Sequence, residues 1–129
     1  MKLAQDIKAA TPHGLGAVAV IVCTGSNAAY AQSLSFLRFG GAVICVGAPD
    51  GDPVPIASAA PLLLCGREYN IMGSVVGNRK DAAEVLELVA RGLVKPQIVV
   101  EPMSKLREVF EKLGKGEVQG RVVIDIRSE

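Results

Sequence analysis

Three continuous apolar runs separated by helical patterns predict an α/β protein built on a doubly wound parallel sheet. The runs are AVAVIVC (residues 17–23), AVICVG (42–47) and YNIMGSVV (69–76). They are rich in β-branched residues and lack polar alternation, which suits strands covered on both faces. Composition agrees: half of the 129 residues are hydrophobic, yet only three are Phe, two Tyr and none Trp. Such a core must be built from Val, Leu, Ile and Ala. A chain of this length fits one compact unit in which folding hides roughly two-thirds of the unfolded surface.

Along the chain, Leu3, Ile7 and Ala10 share one face of a short helix that Pro12, His13 and Gly14 end. The first strand follows and stops at TGSN, where Ser26 or Asn27 can cap a helix packing through Ala28, Ala31 and Leu34 until Gly40 and Gly41 break it. After the second strand comes the turn-rich APDGDP. Ser58 and Pro61 then start a short helix through LLLC, closed by Gly66.

The third strand leads through Gly77 into Asn78, a helix cap with Asp81 placed for a reciprocal bond. Ala82, Val85, Leu86, Val89 and Leu93 fall at helical spacing, a stripe suited to lying on a sheet, and Gly92 ends the helix. Beyond Pro96 the predicted order is strand (QIVVEP), helix capped by Ser104 and packed through Leu106, Val109, Phe110 and Leu113, then strand (RVVIDI). Arg107 with Glu111 and Glu108 with Lys112 stand four apart, marking a solvated face on that last helix.

Charge excludes some functions. Fourteen Lys and Arg face thirteen Asp and Glu, interspersed in sign, so neither a nucleic-acid nor an anionic membrane surface is expected. No apolar stretch is long enough to cross a bilayer, and Lys2, Gln5, Asp6 and Lys8 interrupt any signal-like segment. A cytoplasmic protein is expected. Cys23, Cys45 and Cys65 are widely spaced, without a C-x-x-C pair and with His13 as the single histidine. They read as small buried hydrophobes rather than as a metal site or reactive thiols.

In open parallel sheets, ligands sit outside the carboxyl ends of the strands. Three such ends are legible: Cys23-Thr24-Gly25-Ser26, Val46-Gly47-Ala48-Pro49 and Val75-Val76-Gly77-Asn78. Glycine there would let a flat ligand approach main-chain N–H and C=O groups; taken singly, each is also an ordinary strand-to-helix turn. Neither G-x-G-x-x-G after a strand, nor G-x-x-x-x-G-K-[ST], nor G-x-S-x-G is present. His13 reads as a loop residue and the Asp50/Asp52 pair as a turn. Arg121, after a glycine and opening a strand, could hold a phosphate bidentately or simply face solvent.

The motifs ATPHGLGAVAVIV (residues 10–22), LRFGGAVICVGAP (37–49), GSVVGNRKDAAEVLELVARGLVKP (73–96) and GEVQGRVVIDI (116–126) together resemble the carboxyl-terminal part of zinc-type medium-chain alcohol dehydrogenases, especially fungal ones. By that resemblance, residues 1–95 correspond to the second half of a Rossmann-type NAD-binding sheet and 96–129 to the segment returning to the catalytic domain. The resemblance implies adenosine-side contacts at Cys23 and Thr24. It implies nicotinamide-carboxamide contacts at Val46, Ala48, Ser74 and Val76 around Gly47, and pyrophosphate pairing at Arg121. It also implies a homodimer or higher homo-oligomer, through edge pairing near the third strand.

The zinc ligands, proton-relay residues, glycine-rich turn and ribose-binding acid of that family find no counterpart in these residues. The resemblance therefore implies a partial NAD site with weak or no binding, no zinc in this chain, no catalytic residue that can be named and no alcohol oxidation by the chain alone. The alternative is a freestanding dehydrogenase-like protein put to another use, as a non-redox enzyme or small-molecule binding module that self-associates to cover its first strand.

Overall fold

The computed structural model describes residues 2–128. The chain forms two compact units, one ending at Val76 and the other starting at Gly77. The division falls between the third strand and the fourth helix, in a stretch with neither strand nor helix, and inside the residues 1–95 that the sequence assigns to one cofactor-binding half.

In the first unit, α1 (Lys2–Ala9) leads to β1 (Ala17–Val22), α2 (Asn27–Ser33), β2 (Leu37–Cys45), α3 (Pro61–Arg67) and β3 (Asn70–Gly73). The three strands are all parallel in the order β1-β2-β3, so successive strands are neighbours. Ser26 caps α2 by accepting from the Ala29 N–H at 3.4 Å. Two predicted boundaries move. The helix after the first strand ends at Ser33, well before the two glycines, and a 3-10 turn (Leu34–Phe36) hands the chain to β2 at Leu37. Gly40, predicted to break a helix, lies within β2 at φ 69°, where the register with β1 slips between the Ala17–Leu37 and Ala19–Ala42 pairs. Similarly, Gly66 does not close α3; Glu68, in left-handed conformation, is its cap.

The core is one cluster of Val22, Tyr30, Leu34, Leu37 and Val43, each almost wholly buried. Val22 and Val43 come from the two paired strands, while Tyr30 and Leu34 descend from α2 and the turn after it. Burying a side chain of this size contributes about 1.5–3 kcal/mol, so these few residues carry much of the unit's stability. Of the cysteines, Cys45 is half-buried and packs against this cluster, while Cys23 and Cys65 are exposed. Cys23 lies one residue past the end of β1 and Cys65 on the outer side of α3, which corrects their reading as buried hydrophobes.

The second unit contains α4 (Arg79–Ala90), β4 (Ile98–Pro102), α5 (Leu106–Gly114) and β5 (Arg121–Asp125). Asn78 and Asp81 form the predicted reciprocal cap: the Asn78 side chain accepts from the Lys80 and Asp81 N–H groups, and the Asp81 carboxylate accepts from the Asn78 N–H at 2.8 Å. The stripe predicted for this helix is at the surface: Val85 and Leu86 on α4 are 47% and 67% exposed, and Leu93, beyond the helix end, is 62% exposed. Strands β4 and β5 pair in parallel, Ile98 against Arg121 through Pro102 against Asp125. Ser104 does not cap α5, because it lies inside a 3-10 turn (Met103–Lys105) that precedes the helix. Of the apolar face predicted for α5, Val109 is buried, whereas Phe110 and Leu113 are mostly exposed. Glu108 bridges Lys105 and Lys112 at 2.8 and 2.7 Å.

Candidate functional site

Because β1, β2 and β3 are parallel and in register, their carboxyl ends leave the sheet on one edge. Val22 pairs with Cys45 and Cys45 with Gly73. The next residues, Cys23-Thr24, Val46-Gly47-Ala48 and Ser74, therefore stand side by side. Hydrogen bonds fasten them together: the Val46 and Gly47 N–H groups both donate to the Val22 carbonyl, at 3.1 and 2.8 Å, and the Ser74 N–H donates to the Cys45 carbonyl at 2.9 Å.

Gly47 has a more immediate role than admitting a ligand. A Cβ at this position would lie 2.5 Å from the Thr24 carbonyl oxygen, and one at Gly25 would lie 2.8 Å from that of Ala48. The two loops after β1 and β2 touch backbone to backbone, and glycine makes that contact possible. The Gly47 carbonyl is also occupied, accepting from the Tyr30 hydroxyl. Burial first, then the Cys45 and Cys23 thiols, push the Tyr30 phenol above its ordinary pKa, so it remains a donor.

Other main-chain groups on this edge are free. Among the described residues, the N–H groups of Thr24, Ala48 and Val76 and the carbonyls of Val46 and Ser74 have no main-chain or side-chain partner. Cys23, Thr24, Val46, Ala48, Ser74 and Val76 are all exposed. Val76 also holds φ at 35°, a region costly for a β-branched residue, while its side chain is 95% exposed. Arg121 lies in the second unit, exposed at the start of β5, with its N–H donating to the Gln97 carbonyl at 2.9 Å.

Beside this edge lies a cleft of about 280 Å³, lined by Asn27, Tyr30, Cys45, Pro49 and Ile56 among others. Sequence reading did not single out Tyr30, and named Asn27 only as a candidate helix cap. The available signal was an aromatic residue one helical turn after the TGSN stop, where a side chain on the first turn of a helix can reach back over the neighbouring strand's end. His13 is exposed at φ 60° in the turn after α1, and Asp50 and Asp52 lie in an exposed turn. Among the described residues, no three His, Cys, Asp or Glu side chains come together as a metal site. No helix among them is long and apolar enough to cross a membrane.

Known proteins share this arrangement. The family model described as zinc-binding dehydrogenase matches residues 1–91. Alcohol dehydrogenase 2 of Emericella nidulans is 48% identical over 124 residues, covering 96% of this chain and 34% of that protein. Alcohol dehydrogenase 1 of Neurospora crassa is 40% identical over 123 residues, covering 95% and 34% respectively. Among solved structures, the alcohol dehydrogenase of Aeropyrum pernix superposes with a TM-score of 0.77 at 26% identity, over 95% of this chain and 33% of the other. The chain thus spans about a third of the length of these relatives, and its sheet matches the Rossmann-like half of the solved dehydrogenase structures. With a family model matched over most of its length and close relatives along nearly all of it, the chain belongs to the zinc-binding dehydrogenase family and corresponds to the carboxyl-terminal part of its members.

Proposed function

We propose that this chain is the nicotinamide-cofactor-binding part of an alcohol dehydrogenase-like oxidoreductase, with residues 1–95 supplying half of an NAD site and 96–129 the segment returning toward a catalytic domain. One observation carries the reading: a single sheet edge presents main-chain donors and acceptors that the protein leaves unused. A carboxamide needs both kinds. The Val46 and Ser74 carbonyls would accept from its amine, and the Val76 and Ala48 N–H groups would donate to its oxygen. Cys23 and Thr24 would meet the adenosine side. Gly47 serves by letting the two loops close on each other rather than by touching the ligand.

A bound nicotinamide supplies hydride chemistry; the part played by these residues is to hold and orient its amide. The zinc implied by the family does not fit the donor set found among the described residues. Residues that grip a pyrophosphate by a glycine-rich turn are absent from the sequence. Binding by the 129-residue chain is accordingly expected to be weaker than micromolar, with no alcohol oxidation. Titration with NADH, followed by its fluorescence and by amide NMR shifts, tests this. Shifts at residues 23–24, 46–48 and 74–76 at high NADH concentration support the reading. Their absence would overturn the cofactor assignment, and micromolar affinity would overturn the half-site.

A self-associating form of the same reading rests on exposed apolar residues along the sheet, Val18 and Ile21 on β1 and Ile71 and Met72 on β3. Edge pairing between copies would cover them. Sedimentation should then show a dimer or larger species; a cooperative melting monomer would exclude it.

A further inference from the structure

Opposite the cofactor edge, the first unit carries a second cleft, of about 360 Å³, walled by α1, the turn after α2 and α3. It opens at the amino ends of β2 and β3, since Ser35 just precedes the first and Tyr69 the second. The strands between the two edges are nine (β2) and four (β3) residues long, so the edges are separated by at least about 10 Å at the usual strand rise.

The charged side chains in its wall are Lys8 from α1 and Arg67 from α3, both cations, and no carboxylate lines it. Neither cation enters an ion pair among the described residues. Ser58, also in the wall, has a buried hydroxyl with no hydrogen-bond partner. An unmet buried hydroxyl is uncommon in a folded protein and calls for a missing partner. Gln5 adds an amide, and Leu34 with the Tyr69 ring provides apolar surface beside these polar groups.

We infer that this amino-edge cleft binds a small organic oxyanion, a phosphate monoester or carboxylate with a short apolar body, separately from the cofactor edge. Arg67 supplies a planar fork for two oxygens of one group, and Lys8 a mobile second charge. The hydroxyl of Ser58 is the further donor whose need the protein does not meet. The apolar surface takes the body of the ligand, which explains why a bare inorganic ion should bind less well than an ester.

The test is an amide NMR titration of the whole chain with phenyl phosphate, benzoate and inorganic phosphate, at ionic strength held constant with chloride. Saturable shifts should cluster at residues 4–8, 58 and 63–69, with phenyl phosphate tighter than inorganic phosphate. Arg67→Met should weaken phenyl phosphate about tenfold and Lys8→Met roughly threefold, as expected for losing a charge-assisted contact. If Arg67→Met loses its cooperative melt, Lys8→Met, on the exposed side of α1, decides alone. Shifts confined to residues 23–24, 46–48 and 74–76 would overturn the inference while leaving the cofactor reading intact. So would unsaturable shifts, or folded variants that bind as tightly as the parent.

Discussion

The two units use the same motif, parallel strands joined through a helix, and reach opposite states of completion. In the first, three strands and α2 close over Val22, Tyr30, Leu34, Leu37 and Val43. In the second, β4 and β5 pair as regularly, yet Val109 is the buried hydrophobic residue among those described, while Ile98, Val99 and Val100 are more than half exposed. Parallel strands are stable when both faces are covered, and two strands with one short helix leave most of that surface in water. Strand pairing alone therefore does not make a core. The first unit closes over a core of its own, and the second leaves most of its apolar faces in water.

The strongest way to break this comparison is to cut one side chain from each unit. Leu34→Ala removes a residue that is 1% exposed and should cost about 2–5 kcal/mol in urea unfolding. Phe110→Ala removes a larger side chain that is 65% exposed, and should cost less than about 1 kcal/mol despite its size. Equal losses would mean that the exposed face of α5 is covered in solution. Amide exchange sharpens the contrast, with β1 and β2 protected to a greater extent than β4 and β5.

Next in size is Gly47→Ala. The added carbon would meet the Thr24 carbonyl oxygen at 2.5 Å, so the loops after β1 and β2 must part, at a cost of about 1–3 kcal/mol. The same separation should abolish any NADH-dependent shifts at residues 23–24 and 46–48. A variant as stable as the parent would show that this contact is looser than its geometry indicates. Asn78→Ala should cost about 1 kcal/mol by removing the α4 cap, visible as a lowered urea midpoint in the second unit's amides.

How far the sequence revealed all this depended on the range of the forces involved. The α4 cap was legible because it is settled within four residues, Asn78 to Asp81. The α/β class was legible because residues 17–22 and 42–45 are apolar without interruption. The early start of β2 at Leu37 was not, since Arg38 and the paired Gly40 and Gly41 read locally as a helix end; pairing with Ala17 across the sheet overrides them. At the site, residues on the three strand ends could be named, but the role of Gly47 could not. That role depends on Thr24 being pressed against it from a different strand, and on Tyr30 reaching its carbonyl. The amino-edge cleft was missed for the same reason, as Lys8, Ser58 and Arg67 meet only through tertiary folding.

The smallest expected effect tests whether the second unit has any local order of its own. Glu108 accepts from Lys105 and Lys112, and these two hydrogen bonds, with the lysine charges, lower its pKa from the ordinary 4.5 to about 2. Both lysines are correspondingly raised, chiefly by the hydrogen bond to Glu108. A carboxylate whose pKa is depressed by folding contributes its stability fully above the unfolded value, and loses it as pH falls from about 4.5 through about 2. All three side chains are about half exposed, so salt screens the effect and its contribution to stability is small. A carboxyl carbon NMR titration of Glu108 should give a midpoint well below that of an ordinary glutamate, returning toward it in Lys112→Met or in high salt. An ordinary midpoint in the parent would mean that α5 and the turn before it do not hold these three residues together. The second unit would then be less ordered locally than its paired strands suggest.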